Sequence, residues 1–122
     1  VNEQKKSGLS HLIHATRWSF AGFKATLKDE SAFRQECFLF LVAIPLAIYW
    51  GETGLEKAVM IASVFLVLIV ELLNTAVEAA IDRIGEERHS LSGKAKDAGS
   101  AAVMLSLINV IVVWGLILGR SD

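Results

Sequence analysis

The chain has 122 residues, enough for one domain. With 53% hydrophobic residues and a mean hydropathy of +0.49 it is too apolar for a soluble domain of that size. Twelve basic and thirteen acidic residues leave a formal net charge of −1, with no basic cluster of the kind that binds a phosphodiester backbone. The lone cysteine, Cys37, excludes an intrachain disulfide, and the opening VNEQKKSG lacks the apolar core expected of a signal peptide.

Residues 9–28 are expected to form an amphipathic helix. Leu9, Leu12, Ile13, Thr16, Phe20, Phe23 and Leu27 recur at helical spacing, while His14, Arg17, Lys24 and Lys28 fall on other faces. With Trp18 it reads as a surface helix in the membrane interface; a soluble-type helix covering a bundle is the plainer alternative. Uncharged runs at Cys37–Gly51, Ala58–Val70 and Ala98–Gly119 then predict transmembrane helices over 31–51, 55–83 and 93–119, an all-α integral membrane domain. The first run is only 15 residues long, so either its helix begins within the polar stretch Ser31–Glu36 or the bilayer thins there. Pro45 can kink this span, and Gly51–Gly54 forms a short turn. Trp50 and Trp114 are placed at the far interface, as in an aromatic belt. Ser90 or Ser92 is expected to cap the third span, whose start, with Lys94 and Lys96, suits a phosphate. It is not a P-loop, because Ala95 follows Gly93-Lys94.

Positive charge is unevenly distributed. Six of the twelve Lys and Arg precede the first uncharged run and four lie between the second and third, leaving Lys57 and Arg120 on the other side. The positive-inside rule makes the N-terminus and the second loop cytoplasmic and the C-terminus external.

Glu71 sits where a carboxylate is costly, inside AVMIASVFLVLIVELLNTAV, residues 58–77. An acid in such a span is paired, protonated or functional, and the other apolar segments offer no Lys or Arg at that depth. Asn74, Glu78 and Asp82 follow at offsets of 3, 7 and 11, which places all four on one helix face within about 80°. If the hydrocarbon ends near Val77, Glu71 lies about 9 Å below the boundary, a depth that suits a lipid headgroup hydroxyl. Glu30, Arg34 and Glu36 from the first span, and Lys96, Asp97 and Ser100 from the third, approach the same boundary. Together these supply carboxylates for Mg²⁺, cations for phosphates and a base for an acceptor hydroxyl, the set that phosphoryl transfer requires. A small ion or proton channel is the rival from another class, but a channel needs polar residues along the whole span and here they gather at one end. His11 and His14 are spaced to share a metal, although polar surface is the simpler role.

Glu71-Leu-Leu-Asn-Thr-Ala-Val-Glu-Ala-Ala-Ile-Asp82, with Gly93-Lys-Ala-Lys-Asp97, resembles the signature of the prokaryotic diacylglycerol kinases, and the likeness runs from about Gly8 to Trp114. Glu30-Ser-Ala-Phe-Arg-Gln-Glu36 resembles the Gram-negative type rather than the related undecaprenol kinase, the alternative within the family. The resemblance implies an ATP-dependent kinase that makes phosphatidate from diacylglycerol, as a homotrimer in the bacterial inner membrane with its C-terminus periplasmic and active sites shared between subunits. It implies Glu71 as catalytic base with Asn74 holding it, and Glu30 and Glu78 on the Mg²⁺ that accompanies ATP. It further implies His11, Trp18, Glu30, Glu78, Glu87, Arg88, His89, Lys96 and Asp97 at the nucleotide. Ser31, Ala32, Phe33, Arg34, Gln35, Glu71, Ser100 and Trp114 would line the lipid site. His11, Trp18 and Arg88 depart from the Arg, Tyr and Tyr of the family pattern.

Overall fold

The computed structural model describes residues 8–85 and 89–120, which form four helices: α1 (Gly8–Asp29), α2 (Ser31–Trp50), α3 (Gly54–Ile84) and α4 (Ser90–Leu118). The last three are long and apolar enough to cross a membrane. Their bounds differ from the sequence expectation by one residue, except at the start of α4, which lies three residues earlier.

A single extended residue, Glu30, separates α1 from α2. The exposed carbonyls at the end of α1 are satisfied from beyond the break: the Arg34 guanidinium donates to Leu27 O at 2.7 Å and Lys28 O at 2.9 Å. Phe33 is fully buried and meets Phe23 edge-on at 5.2 Å, fastening α2 to α1. α2 continues through Pro45 to Gly51. Gly51 is required by close approach: a Cβ there would lie 2.8 Å from Ala47 O and 2.7 Å from Lys57 Cγ. Thr53 then caps α3 by accepting the Glu56 N–H at 3.1 Å, while Glu56 accepts the Glu52 N–H at 2.8 Å.

α3 is the central helix. It packs most extensively on α4, then on α2, and α1 touches it over a few residues. Its buried side chains, Met60, Ser63, Val64, Val67, Leu68 and Glu71, recur every three or four residues, so one stripe faces the bundle. At about 1.5 Å per residue its 31 residues exceed a hydrocarbon core of about 30 Å, and the excess carries the polar stripe beyond Val77.

His89, not Ser90 or Ser92, caps α4: its Nδ1 accepts the Leu91 N–H at 3.1 Å, and the helix starts at once. Lys94 and Lys96 therefore lie inside the helix rather than at its open N-terminus. Apolar helices gain little from one another in lipid, so polar contacts matter at the α3–α4 seam. Trp114 Nε1 donates to Ser63 Oγ at 3.1 Å and to Met60 O at 3.3 Å. The indole N–H thus points into the bundle, where the sequence placed it in an outer belt. At that end the Arg120 guanidinium pairs with Glu52 at 2.9 Å and Glu56 at 3.3 Å and donates to Trp50 O at 3.2 Å, joining α4 to the α2–α3 turn. Outward-facing side chains such as Leu41, Leu73, Leu105, Ile111 and Leu116 are more than half exposed on the single chain.

Candidate active site

Glu71 is held where α2 and α4 close over α3. It is 7% exposed, and its Oε2 has no hydrogen-bond partner among the described residues. Its own chain already buries Glu71, without help from a neighbouring subunit. A buried, unpaired carboxylate oxygen is unusual enough to mark a functional position. Glu78 and Glu30 are near enough to Glu71 to act on it electrostatically, and Glu71 acts in the same way on Glu36.

Asn74, one turn on, also has a buried carbonyl oxygen with no partner among the described residues. It abuts Gly99 of α4, whose missing side chain leaves the space that the amide fills. Glu71 and Asn74 are thereby neighbouring acceptors on the inward face of α3.

Further along α3 the bundle opens into a cleft of about 340 Å³ between the end of α1, the start of α2 and α3. Thr26, Asp29, Glu30, Thr75, Glu78 and Asp82 line it. Glu30 and Glu78, selected as metal ligands from sequence, thus share one cavity. Among the described residues no three His, Cys, Asp or Glu side chains form a ready-made ion cage. Mg²⁺ suits such a place: it takes hard oxygens, commonly one or two carboxylates, and completes its shell with water and phosphate. Lys96 reaches the rim, where its Nζ pairs with Asp82 Oδ1 at 2.9 Å.

The remaining sequence-selected residues are dispersed. Asp97 and Ser100 lie exposed on α4, and His89 is exposed in its capping position. Glu87 and Arg88 lie outside the described residues. His11 and Trp18 are exposed on α1, and Trp18 stacks on His14 at 5.9 Å. Ser31, Ala32, Arg34 and Gln35 are exposed at the start of α2, whereas Phe33 is buried against α1. Trp114 lines a second, apolar cleft of about 320 Å³ between α2, α3 and α4, together with Glu36, Val42, Leu46, Val67 and Leu107. Glu36 Oε1, at one end of this cleft, is buried and has no partner among the described residues. Sequence reasoning did not single out Gly99 or the Arg120 clasp. Gly99 carries no side chain to signal its role, and the partners of Arg120 are about seventy residues away.

The family described as "Prokaryotic diacylglycerol kinase" matches residues 17–118. The chain is 55% identical to a protein of Haemophilus influenzae named diacylglycerol kinase, over 93% of this chain and 97% of the relative. A Pseudomonas aeruginosa protein of the same name is 48% identical, over 93% of this chain and 92% of its own. One from Escherichia coli K12, again so named, is 43% identical over 92% of both chains.

Proposed function

The chain belongs to the prokaryotic diacylglycerol kinase family, and on that premise we propose that it transfers the γ-phosphoryl group of ATP to the free hydroxyl of 1,2-diacylglycerol. The observation that carries this reading is Glu71, a buried carboxylate with an unpartnered oxygen inside a membrane-length helix, seven residues from the Glu78 cleft.

Glu71 takes the proton of the lipid hydroxyl as its oxygen attacks the γ-phosphorus. The bond from that phosphorus to the β–γ bridging oxygen breaks, its electron pair leaves with ADP, and phosphatidate forms. Asn74 fixes the Glu71 side of the reaction, and the seven-residue offset along α3, about 10 Å, separates the lipid level from the nucleotide level. Glu30 and Glu78 would hold Mg²⁺, which neutralises phosphate oxygens when bound. Lys96, with Asp97, His89 and the loop residues Glu87 and Arg88, serves the nucleotide, and His11 and Trp18 approach it from α1. The lipid lies along Ser31–Gln35, Ser100 and Trp114.

The N-terminus and the acidic cleft face the bacterial cytoplasm, and the C-terminus the periplasm, in keeping with the distribution of Lys and Arg. α1 lies at the interface, consistent with exposed Leu9, Leu12, Trp18 and Phe20. The assembly is a homotrimer, and the apolar surface left open on α2 and α4 is available to lipid and to neighbouring subunits. The test is consumption of ATP by the purified protein with diacylglycerol and undecaprenol offered side by side. Diacylglycerol should be phosphorylated at least about tenfold faster; the reverse ratio would make it an undecaprenol kinase, and no turnover with either would overturn the reading.

A further inference from the structure

Gly99 is half-buried on α4 and packs against Asn74 of α3. A Cβ built on Gly99 would stand well inside contact distance of Asn74 Oδ1 and 3.3 Å from its Cγ. The conflict is the same whichever end of the amide faces α4, since oxygen and nitrogen are of similar size. Alanine is the better helix former, so a glycine in mid-helix here matches the space taken by the amide. Gly93 and Gly115, on the same helix, have nothing within 4 Å of the place a Cβ would take.

We infer that Gly99 is a positioning residue: its bare Cα sets the location of the Asn74 amide and, through it, the orientation of Glu71. The inference rests on the roles proposed above for Glu71 and Asn74. α4 cannot simply retreat from an added methyl group. Trp114, on the same helix, is bonded inside the bundle to Ser63 and Met60, and α4 packs on α3 more extensively than any other helix pair does. The Asn74 amide is the part that can give way, by rotating out of a site in which its oxygen is buried. Glu71 is three residues earlier on the same helix face, so a displaced amide changes what stands beside the base. A group that orients a base changes turnover more than substrate affinity.

The experiment compares Gly99→Ala, Gly115→Ala, Asn74→Ala and Gly99→Ala/Asn74→Ala in purified, reconstituted protein. Gly99→Ala should lower kcat at least about tenfold while KM for Mg·ATP and for diacylglycerol stays within about twofold. Gly115→Ala should keep parental kcat, showing that loss of a glycine from α4 is not itself the cause. In the Asn74→Ala background the added methyl should cost no further activity, because the group it displaces is gone. Parental kcat in Gly99→Ala, or an equal further loss in the double variant, would overturn the inference. If Gly99→Ala does not yield folded protein, recovery of folded protein in the double variant supports steric coupling to Asn74, and continued failure overturns it. Parental turnover in Asn74→Ala would instead remove the role of Asn74 on which the inference stands.

Discussion

Lys96 of α4 and Asp82 of α3 form a 2.9 Å ion pair at the rim of the acidic cleft, with side chains 45% and 68% exposed. The Asp82 carboxylate is thereby engaged by a cation, while Glu30 and Glu78 deeper along the cleft are not paired with one among the described contacts. An exposed pair of this kind contributes about 0.2–1 kcal/mol. The pair thus adds little to stability, which leaves Lys96 at the cleft rim free to serve the nucleotide phosphate proposed for it.

Lys96→Met should raise KM for Mg·ATP about tenfold or more, as expected when a charge-assisted bond to phosphate is lost, with KM for diacylglycerol within about twofold. Asp82→Asn should change thermal stability by less than about 1 kcal/mol and affect ATP affinity far less. Steady-state kinetics with each substrate varied separately decides the matter. Equal shifts in ATP affinity for both variants would mean that the pair acts as one structural unit.

Replacing the proposed base is the sharper test. Glu71→Gln preserves shape and burial while removing the proton acceptor, so turnover should fall by about 10²–10⁴, the usual contribution of a general base. The protein should still purify as the same oligomer. Turnover within about twofold of the parent would exclude Glu71 from proton transfer.

Glu30→Gln and Glu78→Gln should each move the Mg²⁺ dependence of the reaction to higher metal concentration and leave the diacylglycerol dependence largely unchanged. Both side chains line the same cavity, and hard carboxylate oxygens are what Mg²⁺ selects. Titrating Mg²⁺ at fixed ATP in each variant gives the answer, and curves that superimpose on the parental one would assign the metal elsewhere.

These tests rely largely on features that the sequence discloses. The three long helices follow from uncharged runs, and the alignment of Glu71, Asn74 and Glu78 follows from helical phase alone. Periodicity does not fix how one helix is turned toward another. It therefore could not show that Gly99 meets Asn74, that Trp114 bonds Ser63 rather than a headgroup, or that Arg34 closes the end of α1. His89 as the cap of α4 was hidden for a different reason: Ser is the commoner cap, and the choice depends on the local direction of an imidazole nitrogen.

The Arg120 clasp predicts a pH-dependent stability with a definite sign. Arg120 holds the Glu52 carboxyl below the usual carboxylate range, by hydrogen bond and by charge. A lowered folded-state pKa gives a contribution that is complete above the unfolded value, near 4.3, and is lost as pH falls through the folded value. Arg120→Gln should therefore lower the melting temperature at pH 7, and the gap from the parent should narrow below about pH 4. Thermal melts in one detergent at both pH values measure this, and a gap that widens in acid would contradict it.

The remaining prediction concerns which chain completes each site. Gly99 points at Asn74 of its own chain. Asp97 lies two residues earlier, and at 100° per residue its side chain leaves α4 about 160° away, on the exposed side of the helix. If Asp97 contacts nucleotide, the site it serves is then more readily that of an adjacent subunit than its own. Glu71→Gln and Asp97→Asn should each be inactive alone, yet mixed assemblies of the proposed homotrimer should recover activity, because some interfaces unite an intact Glu71 with an intact Asp97. In a trimer that contains both variants, a site that draws each residue from a different subunit is intact at about one interface in three, so recovery in the purified mixed species should approach about a third of parental activity. Tagged coexpression followed by purification of the mixed species supplies the sample. No recovery in trimers shown to contain both variants would place Glu71 and Asp97 in the same site from one chain.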